Sequence, residues 1–378
     1  MKAKSINGDA TASFKSALDK SMADGYKPTL AFVFLTELND IDEVRAIMDS
    51  KGILIFGAST SEKFTDQGME PTGIVALLLD MNPNHFKVEF KDFSDDSVYE
   101  SSFNVGKSGK HNFDHPAFII SVADISLAGE DIIRGLLDAA GENVPVIGGM
   151  AGESQQFTAA VFTNQFKSNC GLITVILDED KIDVKGIAVS GWKPVGTEKR
   201  ITKCDGTWVY TIDNEPAMDV INKYLGKDLL VSEQAEGLVR LNINYPLQVE
   251  RSPGKPMMRP LILWNTANQS VMVGGPIEEG SRFRFSLPPD LEVIDTVIES
   301  SNKMKEHEMP EADAMLIFSC IGRFSSLGPL VSAELDGLAA TWNKPTAGFF
   351  SLGEFGKLDN TRPEFHGTTV SWVALKEK

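Results

Sequence analysis

The sequence predicts an α/β protein with mixed sheets, built from a strand–helix–strand–strand unit that occurs three times. Three observations carry this. Apolar runs of strand length alternate with stretches whose apolar residues recur at helical spacing. Two runs, Gly73-Ile-Val-Ala-Leu-Leu-Leu-Asp and Gly171-Leu-Ile-Thr-Val-Ile-Leu-Asp, are near copies of each other. The turn at residues 57–64 aligns without a gap with residues 348–355, so that Gly57, Thr60 and Phe64 stand opposite Gly348, Ser351 and Phe355.

The first unit opens with the buried-strand run Thr29-Leu-Ala-Phe-Val-Phe-Leu. Ile41, Val44, Ile47 and Met48 then mark one face of a helix, and Gly52-Ile-Leu-Ile-Phe-Gly-Ala-Ser-Thr supplies the next strand and turn. In the second unit the strand is Ala117-Phe-Ile-Ile-Ser-Val-Ala-Asp. The helical stripe is Ile132, Ile133, Leu136, Leu137 and Ala140, and the turn is Val144-Pro-Val-Ile-Gly-Gly-Met-Ala-Gly. The third runs from Asp313-Ala-Met-Leu-Ile-Phe-Ser-Cys through Leu330, Val331, Leu335 and Leu338 to Ala347-Gly-Phe-Phe-Ser-Leu-Gly-Glu and Thr368-Thr-Val-Ser-Trp-Val-Ala-Leu. A strand–helix–strand crossover gives parallel neighbours. Between the second and third units come short strands at 185–192, 238–244, 259–264 and 271–273, and a helix at 216–225. A domain boundary is expected near 226–232, dividing the chain into 25–228 and 229–378.

Composition narrows the function classes. The 378 residues are 42% hydrophobic and 24% charged, ordinary for globular domains. A formal net charge of −17 repels a phosphate backbone and an anionic membrane surface alike. No apolar run approaches the roughly 20 residues that span a bilayer, and residues 1–10 lack a signal-peptide core. Cys170, Cys204 and Cys320 form no CxxC spacing, which speaks against a disulfide framework or zinc site. The cytoplasm is the expected compartment.

Several motifs resemble those of a known family. Gly57-Ala-Ser-Thr, Ile147-Gly-Gly-Met-Ala-Gly and Ser190-Gly-Trp-Lys-Pro-Val-Gly resemble the amino-terminal FIST domain. Phe318-Ser-Cys-Ile-Gly-Arg, Ala347-Gly-Phe-Phe-Ser-Leu-Gly-Glu and Phe365-His-Gly-Thr-Thr resemble the carboxyl-terminal one. The resemblance implies a bacterial sensory input module that binds an amino acid or a related metabolite. It would signal through a separate protein such as a histidine kinase or a cyclic-dinucleotide enzyme. Some relatives are described as haem-linked nitric-oxide sensors. The first turn departs from the family's Gly-Cys-Ser-Thr-Ala-Gly-Glu: here Ala58 replaces the Cys and Glu62-Lys63 the Gly-Glu, whereas Gly353-Glu354 is intact.

Candidate ligand contacts follow from strand-end positions, where open α/β sheets bind ligands. Arg323 can grip a carboxylate with two hydrogen bonds and Glu354 can accept from an ammonium, or the two can brace each other. Cys320 and His366 lie beside them in the motifs. The small residues Gly57, Ser59, Thr60, Gly149 and Gly152 either let the backbone approach a ligand or only turn and pack. No catalytic or metal-ligating set is assigned. A Cys320–His366 enzyme and a protein-binding scaffold are the alternatives to a sensor, and a haem-based gas sensor is its narrower form. The cofactor is open. None of the five histidines lies in a haem-attachment motif. Purified protein is therefore expected to show no Soret band; one saturating near one haem per chain would overturn that expectation.

Overall fold

A computed structural model describes residues 1–93, 97–123, 129–152, 159–226, 230–233, 237–241, 243–251, 254–287, 290–359 and 361–378. The first repeat is β1 (Lys2–Gly8), α1 (Thr11–Met22), β2 (Leu30–Leu35), α2 (Ile41–Asp49), β3 (Leu54–Ser59), the hairpin β4 (Lys63–Thr65) and β5 (Gly68–Glu70), and β6 (Ile74–Asp80). The second follows the same order: β7 (Phe86–Asp92), α3 (Val98–Asn112), β8 (Pro116–Ala123), α4 (Gly129–Ala140), β9 (Val146–Met150), β10 (Val161–Phe162), β11 (Lys167–Ser168) and β12 (Gly171–Asp178).

The third repeat opens with β13 (Ile182–Val189) and is then interrupted. The insert contains β14 (Pro194–Asp205), β15 (Trp208–Ile212), β16 (Glu215–Pro216), α5 (Ala217–Leu225), β17 (Leu230–Glu233), β18 (Leu238–Leu241) and β19 (Leu247–Val249). It closes with β20 (Met257–Arg259), β21 (Leu261–Asn265), β22 (Val271–Val273) and β23 (Arg282–Ser286). The repeat resumes with α6 (Leu291–His307), β24 (Ala314–Cys320), α7 (Ile321–Leu327), α8 (Val331–Trp342), β25 (Thr346–Ser351), β26 (Glu354–Lys357), β27 (Pro363–His366) and β28 (Val370–Glu377).

The expected helix at 41–48 and the parallel pairing of the strands on either side of it are both present. The repeat is longer than the sequence pattern showed. Each copy begins one strand and one helix earlier, with elements such as β1 and α3 whose apolar residues are too sparse to stand out. His111 lies in the last turn of α3, and His115 pairs with Asp180 at 3.0 Å.

Pairing explains the architecture. The three core sheets are ordered β1-β6-β2-β3-β10-β11, β7-β12-β8-β9-β26-β27 and β13-β28-β24-β25-β4-β5. Each central pair is parallel (β2/β3, β8/β9, β24/β25) and each sheet is completed by a hairpin from another repeat. The first repeat gives β4–β5 to the third, the third gives β26–β27 to the second, and the second gives β10–β11 to the first. The inner faces of all three sheets share one core, which includes Phe32, Phe34, Phe56, Ile119, Val175, Leu316, Phe349 and Val373. Helices cover the outer faces: α1 and α2 on the first sheet, α3 and α4 on the second, α6 to α8 on the third. The insert keeps a separate core around Ile201, Leu247, Val271 and Phe283.

Two hand-overs are locked in the same way. A Cβ on Gly57 would lie 2.3 Å from the ring of Phe162, and one on Gly348 would lie 2.6 Å from the ring of Phe64. Each aromatic belongs to the incoming hairpin and lies over a glycine of the receiving strand, so these glycines serve packing. Gly57→Ala is expected to cost about 1–3 kcal/mol, the range for overpacking a tight core. Phe162→Leu should recover part of that loss in a double-mutant cycle read by urea denaturation. Strict additivity of the two substitutions would contradict the lock.

Candidate functional site

The carboxyl-terminal ends of the three parallel strand pairs are stitched together by backbone hydrogen bonds. Thr60 bridges Gly152, whose N–H donates to Ser59 O at 2.9 Å. Phe350 N–H donates to Glu62 O at 2.8 Å, Leu352 N–H to Met150 O at 3.0 Å, and Met150 N–H to Gly353 O at 2.8 Å. Side chains add to this. Thr60 Oγ1 lies 3.1 Å from Phe350 O, and Ser59 Oγ accepts from Ala160 N–H at 2.8 Å. A Cβ on Gly149 would stand 2.9 Å from Ser351 Cβ, so only glycine permits this approach of the second repeat to the third.

Glu354 sits at this junction with no exposed surface. One carboxyl oxygen is 2.6 Å from Ser351 Oγ; the other accepts from Thr369 Oγ1 at 2.8 Å and Thr369 N–H at 3.2 Å. The thiol of Cys320 also bonds to it. Burial is the largest influence and pushes the Glu354 carboxyl up to about 8, against the pull of these hydrogen bonds. Burial likewise raises the Cys320 thiol, with the neighbouring Glu354 charge adding to it. His366 is the cross-strand neighbour of Glu354. Its Nε2 meets Gly356 O at 3.0 Å, its Nδ1 has no partner among the described residues, and burial holds it down to about 3. Nδ1 is thus a buried, unprotonated acceptor. Cys320 and His366 do not hydrogen-bond to each other, and a buried thiol beside a carboxyl is a poor source of thiolate.

Arg323 forms its ion pair with a residue other than Glu354. Its guanidinium makes a two-pronged ion pair with Glu334, Nε to Oε1 at 2.9 Å, both side chains fully buried. It also donates to Ser190 O at 2.6 Å and stacks over Trp192, 4.9 Å from the ring centroid. Of the two alternatives for Arg323 and Glu354, the mutual brace is not formed: the carboxylate partner of Arg323 is Glu334. Sequence spacing concealed it because Glu334 lies on α8, beyond the irregular turn at 328–330.

Strand register reveals a residue the sequence reading passed over. Lys63 pairs with Phe349, Val161 with Ala58 and Glu354 with Gly149, each partner following a glycine of its repeat. Lys63, Val161 and Glu354 thus hold one position in three repeats. Lys63 is fully buried; its Nζ donates to Thr36 Oγ1 at 2.6 Å and Glu70 O at 3.1 Å, and burial lowers it to about 8. Thr36 corresponds in turn to Cys320. One position is basic, one apolar and one acidic. The gapless match of residues 57–64 with 348–355 already set Lys63 against Glu354; the signal lay in the charges, not in the matching residues.

No group of three or more His, Cys, Asp or Glu could hold a metal among the described residues, and no helix there is long and apolar enough to cross a membrane. The FIST N domain matches residues 29–215 and the FIST C domain residues 217–357. The two matched segments meet just before α5; part of the boundary expected at 226–232 lies outside the described residues. No curated protein matches the chain. Among solved structures, the crystal structure of a cyanuric acid hydrolase from A. caulinodans is similar at 7% identity over 99% of each chain, with a TM-score of 0.35, a likeness too slight to carry an argument.

The raised Glu354 carboxyl has a signed consequence. Its folded value near 8 exceeds the ordinary 4.5, so the native state holds the extra proton between the two. The stability it contributes is full below pH 4.5 and is lost as pH rises through 8. Glu354→Gln should remove this fall from the stability–pH curve; parallel curves for the two proteins would refute it. Arg323→Ala should destabilise by about 3–5 kcal/mol, since it strands a buried carboxylate. Chemical denaturation measures both.

Proposed function

Because the chain belongs to the FIST family, whose domains are sensor modules of signal transduction, we propose that it binds an amino acid or a related zwitterion at the junction of the three repeats. It then acts through a separate signalling protein. The observation that carries this is a basic and an acidic side chain at the same repeat position, Lys63 in the first copy and Glu354 in the third. Burying both costs free energy that an apolar residue at the same position, Val161 in the second copy, does not. Lys63 uses two of its three N–H groups internally and is the cation that takes the role first expected of Arg323. His366 Nδ1 adds a buried acceptor next to Glu354. Ser59, Thr60, Gly149 and Gly152 set the backbone around these groups, and Cys320 tunes Glu354. Gly57 and Arg323 support the site through packing and through the Glu334 ion pair.

The ligand class is tested by thermal unfolding of the full chain against each of the twenty amino acids. At a hundred times the dissociation constant a ligand adds about 2.7 kcal/mol to stability. At least one amino acid is expected to stabilise the protein, and Lys63→Met and Glu354→Gln should each weaken that effect by roughly tenfold or more. Stabilisation by none of the twenty would dismiss the ligand class. Undiminished stabilisation in both variants would move the site elsewhere.

A further inference from the structure

A cleft of about 540 Å³ opens between α4, β27 and the insert. Its size is in the range of small-molecule sites, and like many of those it lies where two parts of the fold meet. Ile133, Leu137, Met257 and Phe365 give it an apolar lining. Two ion pairs cross between the insert and the core at its wall. Arg259, 2% exposed, donates to Glu130 Oε1 at 2.6 Å, and Arg251 pairs with Glu364. The backbone of Gly275 lies against the first pair: its φ is +119°, and a Cβ there would stand 2.8 Å from the Arg259 guanidinium.

The polar groups do not balance. Glu130 Oε2 is buried and has no hydrogen-bond partner among the described residues. A buried carboxylate oxygen left without a donor is costly, and native structures fill such positions with a partner. Arg259 and Arg251 are neutralised by their own partners, and Arg134 by Asp131. Glu142, Glu250 and Glu278 line the cleft, exposed and without ion pairs among the described residues. Against them stands Arg362, also exposed and without an ion pair among the described residues. The cleft therefore combines an apolar lining, a buried acceptor that lacks a donor and an acidic rim.

We propose that this cleft is a second binding site that takes a small organic cation, an ammonium or guanidinium group on a short apolar stem. The cationic head donates to Glu130 Oε2, the stem lies along Ile133, Leu137 and Phe365, and the rim carboxylates draw the charge in. A ligand held there touches both the core and the insert, so it bears on how the two are held together.

Isothermal titration of the full chain with 1,5-diaminopentane at low salt tests the proposal, with pentanoate as the control of opposite charge. Saturable binding of one diamine per chain is expected, and none of pentanoate. Glu130→Gln should weaken diamine binding roughly tenfold or more. Since that variant also disturbs the Arg259 ion pair, the deciding variant is Glu250→Lys with Glu278→Lys, which changes only exposed side chains and should cause a loss of similar size. Absence of saturable heat, equal binding of pentanoate, or an unchanged dissociation constant in the double variant would overturn the site. The last outcome would mean general attraction to a chain of net charge −17. The strand-end site is read by amino-acid stabilisation and this one by diamine binding, so either can fail alone.

Discussion

The fold depends on the antiparallel pairing of a short hairpin with a strand of a different repeat. β10 on β3, β26 on β9 and β4 on β25 close a ring in which no repeat completes its own sheet. An unpaired edge beside β3, β9 or β25 would leave backbone donors and acceptors exposed at the rim of a common core. The hairpins satisfy those groups and bring side chains from one repeat to the strand ends of another. Lys63 and Glu354 each stand at the first residue of such a hairpin. The pairing that closes the sheets is thus also what carries the charged groups to the junction.

The three repeats differ where they meet more than where they pair. The glycine that receives the hairpin is present in each copy, as Gly57, Gly148 and Gly348, and the incoming residue opposite it is a phenylalanine in each, Phe162, Phe355 and Phe64. One residue before it on the hairpin the side chain is valine, glutamate or lysine. Packing constrains the first pair through steric fit, whereas the preceding position points toward the junction and varies in charge.

The sequence displayed the fold more fully than the site. Strands such as β8 and β12 are continuous apolar runs, and α2 and α4 carry clear helical stripes, so the repeat was legible where burial is complete. β1 and α3 are half-buried and were missed for that reason. The hairpin strands are two to four residues long and pair with segments far away in the chain, information that local periodicity does not hold. Arg323 and Glu354 were found as residues, but their partners were set by tertiary contacts: Glu334 on α8 in one case, Ser351 and Thr369 in the other. The cleft beside α4 left no motif at all, because its residues come from the second repeat, the third and the insert.

The ring of exchanged hairpins also imposes an order on synthesis. The hairpin β4–β5 is finished by residue 70, but its partner β25 begins at residue 346. At 5–20 residues per second the ribosome takes roughly 15–60 s to supply the missing strand. Through that interval the first repeat carries Phe64 and a short unpaired edge, and its sheet also lacks β10 for part of the time. Contacts this distant in sequence slow folding and lengthen exposure to other chains. The first repeat of a nascent chain therefore stays incomplete until β25 emerges, and until then its own helices are its cover.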